Sequence, residues 1–586
     1  MSTSFKLSLH AALVAWFISV FALAAQGAGQ NSELWGTAGE KWTPDSRLPD
    51  FSQAGYRRGE EPYRIPKETI SVKDAGAKGD GKTDDTEAFK KALAAGPDKL
   101  VLIPKGRYVL TDMLEIAQPR IVLRGAGPKE TVLFFTKPLQ EIKPTTAQTG
   151  GGKTTTSYSW SGGLINVVGG AVNKGERVSV TATAKRGDTK LTLGSAAFKV
   201  GDEVLLSLTD ATDHSLLAHL HRGQTRDFRD GWKKTVQQTF RVTTVTGNEV
   251  TLDRGLRFDV REEWQPSVTL FAPQVTDVGV EELSFEFPAK TYAGHWEEVG
   301  FNPVALTRNV AHCWIRNVRV WNADNGPFIS GWFCTVEGIT FGADRKRNMP
   351  DGISGHHGVT LNGSDGLCTG FQIDTRFFHD VTVDSGATGN VFSKGTAMDF
   401  NMDHHKSAPY ENLFTDIDAG EGTRLFNSGG ASGNGNHTAA GATFWNIRSK
   451  QEAVWPESFQ LDAMNFVALK MRGRDVKKTD GRWIETIRPG NITPPDLHLA
   501  MRQKRLSSRA PAVAAPASRG VAPAVASVPH SWKGVDGRVF SAQFAGLQGQ
   551  QVSLISGGKR YVVPLAQLSA ESQALVRQLA ARGLAK

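Results

Sequence analysis

Residues 70–135 constrain this chain more than any other stretch. A strand-like Ile70-Ser71-Val72 runs into a turn-rich Gly76-Ala77-Lys78-Gly79-Asp80-Gly81. A short helix is predicted next, with Asp84 as N-cap and Glu87 three residues on as the acidic partner of a capping box. Ala88, Phe89, Ala92 and Leu93 give it one apolar face, and Gly96 stops it. Short apolar runs follow in quick succession, LVLIP, YVL, IVLRG and TVLFF, broken by Pro104-Lys105-Gly106 and Gly125-Ala126-Gly127. A chain of many short strands and turns also accounts for 62 glycines in 586 residues, above the usual share of about 7%.

This segment resembles the N-terminal cap and first coils of the right-handed parallel β-helix proteins of the pectate lyase superfamily. The resemblance implies an all-β fold: a right-handed parallel β-helix solenoid behind an N-terminal helical cap. It does not imply one reaction, because lyases, hydrolases, viral depolymerases and inert scaffolds share the fold.

The rest of the chain divides by pattern. Residues 1–25 carry Lys6, an apolar run Ala11–Leu23 and an Ala22-Leu23-Ala24 cleavage site, and read as a secretory signal peptide. The protein is therefore expected to be secreted, extracellular or periplasmic, with no membrane span. Residues 26–496 are assigned to the β-helix, opening with an irregular wrapping arm over 26–70. Within it, residues 176–272 alternate with period two between Gly-Asp and Gly-Asn turns, as antiparallel hairpins do, and read as a small β insertion. Coils resume after Val275, with strand cores at Leu283, Val318, Ile339, Phe371, Val381, Thr415 and Trp445. Loops inserted on one face of such a solenoid commonly bind. Cys313, Cys334 and Cys368 each precede a strand apolar residue by five, which predicts a stacked cysteine ladder rather than a disulfide framework. Asn317, Asn436 and Asn446 are read as ladder residues inside coils.

Residues 497–530 read as an Ala/Pro-rich basic linker. Residues 531–586 alternate as strands with glycine turns and resemble the small SLA-homology domain, an SH3-like fold, which implies a peptide or cell-surface partner. The basic charge belongs to this tail. From 497 on there are twelve Lys and Arg against Asp536 and Glu571, so the earlier residues carry about −1 of the +9 total. The linker lacks interleaved aromatics, so a nucleic-acid partner is not expected.

Eight of fourteen histidines fall between 295 and 437. On stacked coils, residues 20–35 apart in sequence come together at about one strand spacing, ~4.8 Å. Gly355-His-His-Gly358, Arg376-Phe-Phe-His379-Asp380 and Met402-Asp403-His404-His405-Lys406 would then place His356, His357, Arg376, His379, Lys394, Asp403, His404 and His405 along one groove. Arg345 and Lys346 in a basic loop, and Tyr410, are candidate substrate contacts. Trp160, Trp296, Trp321 and Trp332 are either packing or sugar platforms.

Two chemistries fit. In a polysaccharide lyase, a base such as His357, His379 or His405 takes the proton α to a uronate carboxylate that Arg376 or Lys394 neutralises, and Tyr410 protonates the leaving oxygen. In a glycoside hydrolase, two of Asp351, Asp380, Asp399 and Asp403 flank the bond. Hydrolytic pectinases of the superfamily carry Asn-Thr-Asp, Asp-Asp, Gly-His-Gly and Arg-Ile-Lys elements, and here Gly355–Gly358 half matches only one. The resemblance brings Ca2+ as a possible cofactor, although the acidic calcium cluster of pectate lyases is not evident. Asp403 with His404 and His405 is a candidate metal set. The expectation is an enzyme that cleaves an acidic polysaccharide, by β-elimination first and by hydrolysis second. A non-catalytic carbohydrate-binding or structural β-helix is the third possibility.

Overall fold

The computed structural model describes residues 29–223, 235–346, 352–431, 437–456, 459, 463–472, 481 and 483–509, and most of 530–576 in a separate C-terminal unit. The signal peptide expected at 1–25, and Arg347, Asp351 and Asn436, lie outside the described residues.

The first unit is a parallel β-helix of three faces. The broad sheet is threaded by one unbroken row in register: Ile70, Val101, Leu123, Val280, Ile315, Val336, Cys368, Phe392, Phe414, Phe444, Phe466 and Ile484. Because the side-chain period of a strand is two, this row faces inward on every coil. At its C-terminal end the row becomes an aromatic stack, Phe392, Phe414, Phe444 and Phe466, with successive centroids 5.2, 5.3 and 5.0 Å apart. Each fully buried member contributes roughly 1.5–3 kcal/mol over its exposed state.

The cysteine ladder is corrected by this register. Cys313 and Cys334 sit one residue before the paired Trp314 and Thr335, whereas Cys368 pairs with Val336, two positions further along. All three are buried and free. The asparagine ladders also sit elsewhere. Asn325 donates to Asn302 and Asn390 to Asn412, whereas Asn317 is exposed and bonds Glu282.

The second sheet runs in the order Leu114–Ile116, Ile165–Val167, Val304–Leu306, Phe328–Ile329, Ile353–Leu361, Arg376–Val383 and Met402–His404. We call it the site sheet. A third face is made of single parallel bridges through Ala311, Trp332, Ser364, Thr388, Tyr410 and Ala440.

The cap helix spans Thr86–Leu93, with Phe89, Ala92 and Leu93 buried. Its N-cap position is Asp85 rather than the expected Asp84, and the Asp85 carboxylate serves the preceding turn by accepting from the Lys78 and Gly79 amides.

The insertion is a six-stranded antiparallel sheet, ordered Asn173–Ser179, Ser267–Phe271, Glu203–Thr209, Thr235–Thr246, Glu249–Leu252 and Lys190–Thr192. Asp365, in a coil loop, accepts from Arg254 and Arg257, in the segment that follows strand Glu249–Leu252 of the insertion, at 2.8 and 2.6 Å, all three buried.

The N-terminal arm packs Trp35, Leu48 and Phe51 on Leu413, Trp445 and Val467, outside the broad sheet. Its strand Gln30–Asn31 pairs with Ile492–Thr493 near the end of the solenoid. A linker starting at 497 is not what the chain forms: Leu497–Arg509 is a helix whose Leu497 and Met501 join that same core. The C-terminal unit has four antiparallel strands, His530–Lys533, Val539–Gln548, Gln551–Ser556 and Lys559–Pro564, around Trp532, Phe544, Val552 and Leu554.

Candidate active site

The site sheet brings three neighbouring strands together so that His357 stands directly beside His379, and Thr382 beside Asp403. The His357 and His379 rings are 5.0 Å apart, and each lies within 5.4 Å of the His405 ring. Asp403 organises them. Its Oδ2 receives His405 Nδ1 at 2.7 Å and the Thr382 hydroxyl at 3.2 Å, and lies 3.5 Å from His379 Nδ1. Its Oδ1 receives the Gly429 amide at 2.9 Å. His357 Nδ1 meets Thr382 Oγ1 at 3.0 Å, so His405 bonds the carboxylate directly and His357 through one hydroxyl, while His379 stands beside it without a hydrogen bond.

Gly429 is part of this geometry. A Cβ there would stand 2.6 Å from His379 Nε2 and 2.8 Å from His405 Cε1, closer than side chains pack. Glycine lets the backbone close over the two rings.

The electrostatics separate the members. Burial alone would raise the Asp403 carboxyl, but His379, His405 and the Gly429 amide hold it well below the carboxylate range. Burial lowers His379, and the attraction of Asp403 only partly offsets it, leaving the ring at about 4. For His405 the opposing burial is outweighed by the Asp403 charge and hydrogen bond, which carry it up to about 9. At neutral pH the cluster therefore holds a neutral imidazole at 379 and an imidazolium at 405. His405 is the most open of the three, with 19% of its side chain exposed.

A second group adjoins the first. His356 is buried, with its ring 4.0 Å from that of His357. Its Nε2 meets His295 Nε2 at 2.8 Å. The half-buried His295 ring lies between Trp296, at 4.1 Å, and Phe378, at 4.5 Å. His295, Trp296 and Glu298 come from a loop between strands. That loop is fixed because Asp324 Oδ2 accepts the amides of Val299, Gly300 and Phe301 while Asp324 Oδ1 pairs with Arg345.

Several expected site residues lie elsewhere. Arg345 is that buried loop anchor, also bonded to the Ser354 carbonyl, and does not face a substrate. Lys346 is exposed, and its carbonyl accepts from the Tyr292 amide. His404 points into the solenoid against Phe414, Phe444 and Phe459, because it alternates with Asp403 along the strand. Lys394 belongs to the broad sheet's side, in a cleft with Glu337, Asp496 and His498. Tyr410 is buried on the third face under the insertion, near Leu217 and Val236. Arg376 opens the strand that carries His379 and pairs with Asp399 at 3.3 Å. Sequence reasoning missed His295, Glu298, Thr382 and Gly429. The acid- and aromatic-rich Gly294-His-Trp-Glu-Glu298 between two strands was the signal available for the first two.

Oxygen-rich coordination of the kind Ca2+ takes, six to eight oxygens, does not fit an imidazole cluster with one carboxylate. His379, Asp403 and His405 do offer donor atoms within 4.8 Å of one another, a set suited to a transition metal.

Residues 69–193 match the family model described as Rhamnogalacturonase A/epimerase, pectate lyase-like. This pectate-lyase-like match covers the cap, the first coils and the start of the insertion, and ends before every residue of the imidazole cluster. Among curated relatives, the pre-neck appendage protein of Bacillus phage B103 is 46% identical over 66 residues, 11% of this chain and 7% of that one. Polygalacturonase ADPG1 of Arabidopsis thaliana is 45% identical over 73 residues, 12% and 17% of the two chains. The chain thus spans less than a fifth of the length of either. Among solved structures, the tailspike gp49 of Pseudomonas phage LKA1 aligns with TM-score 0.39 and 13% identity, covering 66% of this chain and 64% of that one. The exopolygalacturonase of Thermotoga maritima aligns with TM-score 0.33 and 12% identity, covering 70% and 78%.

Proposed function

We propose that this protein is a secreted enzyme that cleaves an acidic polysaccharide by β-elimination at the His379–Asp403–His405 cluster. One observation carries the reading: a neutral and a cationic imidazole stand side by side on one carboxylate. Elimination needs this pair of opposites. The His405 imidazolium faces the uronate carboxylate and stabilises the charge that builds as the α proton leaves. Neutral His379 takes that proton, with His357 beside it. The bond to the β oxygen then breaks, and a carbon–carbon double bond conjugated to the carboxylate forms.

The hydrolytic alternative draws less support from the carboxylates. Asp380 and Asp399 both lie against Arg424, at 2.6 and 3.8 Å, and Asp399 also takes Thr423 and Arg376. Asp403 is filled by the imidazoles.

The test is product chemistry. Mature protein incubated with pectins, alginates, glucuronans and fucoidans should generate near-ultraviolet absorbance together with new reducing ends. Reducing ends without absorbance would replace elimination by hydrolysis, and silence on all of them would favour a binding scaffold. The four-stranded C-terminal unit fits an SLA-homology-like role in holding a peptide or cell-surface partner, which a pull-down with the isolated 531–586 segment against whole-cell surface extracts would test.

A further inference from the structure

Glu298 is a buried carboxyl that the elimination scheme leaves without a task. Its Oε1 receives the Tyr292 hydroxyl at 2.6 Å and lies 3.8 Å from His356 Nδ1. Neither Glu298 Oε2 nor His356 Nδ1 makes a hydrogen bond of ordinary length. Buried polar atoms left open in this way are rare, and an open imidazole nitrogen within 3.8 Å of a buried carboxyl calls for an explanation. From His356 the contact continues through Nε2 to His295, whose half-buried ring stands between two aromatic rings beside the cluster. The three residues form a line from the buried interior to the mouth of the site.

We propose that His295, His356 and Glu298 form a second catalytic unit, which delivers a proton to the departing glycosidic oxygen. This rests on the β-elimination reading and supplies its missing half. In the resting state Glu298 is protonated, His356 carries its proton on Nε2, and His295 carries its proton on Nδ1. As the carbon–oxygen bond breaks, His295 Nδ1 gives its proton to the leaving oxygen. His356 passes its Nε2 proton to His295 Nε2, and Glu298 passes its proton to His356 Nδ1. The leaving group departs as a neutral alcohol, Glu298 ends as a carboxylate, and both imidazoles end neutral in the other tautomer. No imidazolate is formed. The carboxyl must close on Nδ1 by about 1 Å to reach hydrogen-bond distance.

The environment suits a proton reservoir. Burial, with Asp324 nearby, pushes the Glu298 carboxyl up to about 7, against the pull of its Tyr292 hydrogen bond. Burial and the neighbouring His379 and His405 hold His295 down at about 4, so at neutral pH it is a neutral imidazole with a single ring proton and does not store a second. His295 is thus the group that meets the substrate, while His356 and Glu298 act through it.

The experiment compares wild type with Glu298→Gln and His295→Gly on whichever polymer gives unsaturated product. Each variant should lose about 10²-fold in kcat, the usual range for one proton-transfer group. Imidazole in the buffer should restore His295→Gly. In Glu298→Gln the alkaline limb of kcat near pH 7 should vanish, and polymer recovered from D2O should carry new deuterium α to the carboxylate, because proton removal now outruns departure. Unchanged kcat in both folded variants would overturn the relay and leave elimination standing. A loss that imidazole does not rescue, with the alkaline limb still at 7, would make these residues structural. Absence of unsaturated product from wild type on every polymer would remove the elimination reading itself.

Discussion

His405 donates from Nδ1 to Asp403 Oδ2 across 2.7 Å, and the same oxygen stands 3.5 Å from His379 Nδ1. One buried carboxylate thus keeps one histidine charged while its neighbour stays neutral. Removing either ring should abolish a different function of the site. His379→Ala removes the base and is expected to lower kcat by about 10²- to 10⁴-fold. His405→Gln removes the cation and is expected to raise KM for the uronate polymer as well. Initial rates with circular dichroism on both variants check this. Wild-type rates in both would remove the cluster from catalysis.

The pH dependence has a definite sign. His379 must be neutral to act, and it gains its proton as pH falls through about 4, so kcat should fall on the acid side near that value. Stability moves the other way for His405. Its folded value of about 9 lies above the model-compound 6.5, so its contribution is complete below 6.5 and is lost as pH rises through about 9. The Tm difference between wild type and His405→Gln should therefore shrink between pH 6.5 and 9. A constant difference would contradict the ion pair.

Gly429→Ala tests the closeness of the rings. The added methyl has no space beside His379 Nε2 and His405 Cε1. The expected result is at least a roughly tenfold loss of kcat with little change in Tm, since the glycine lies outside the hydrophobic core. Full activity would show that the cluster tolerates a wider spacing.

Transition metals should compete with the proton. Zn2+ suits two imidazoles and a carboxylate, and once bound it would occupy the His379 lone pair. Micromolar Zn2+ should inhibit, and EDTA should restore the rate and leave the untreated enzyme unaffected. Loss of activity on EDTA treatment, recovered by metal, would make the cluster a metal centre instead.

Asp365 fixes the insertion to the coils through two buried guanidinium groups. Asp365→Ala leaves both charges buried without their partner, and the cost is about 3–5 kcal/mol. Urea unfolding measured on the variant reads this directly, and a loss below 1 kcal/mol would show that the arginines find other partners.

The fold was legible because coils repeat: the inward apolar row begins at Ile70 and Val101, in the segment whose short strands and glycine turns were the plainest signal. The histidine cluster was legible as a density of residues, not as a set of directions. Period-two counting from the core residues Phe377, Val381 and Val383 groups His379 with them on the inner side. Yet its ring faces His357, its neighbour across the strand pair, and His405 from the next coil, which counting within one strand does not show. The same counting does place His404 inside and Asp403 outside, but composition alone treats them as one motif. Lys394 and Tyr410 are near the cluster in sequence and on different faces of the coil, which no local pattern distinguishes without the register. His295 and Glu298 lie on a loop about 60 residues before His356, so only the stacked coils bring them together.

The pairing of Gln30–Asn31 with Ile492–Thr493 changes how this molecule comes apart. A solenoid whose coils touch only their neighbours can fray from its ends, one repeat at a time. Here the first residues of the described chain are stitched to the last coils, and the arm between them lies across the intervening ones. The terminal coils cannot peel away unless the arm lets go, which ties the arm's release to the loss of many coils at once. A single protease cut within residues 36–48 would therefore loosen the far end of the solenoid, hundreds of residues downstream.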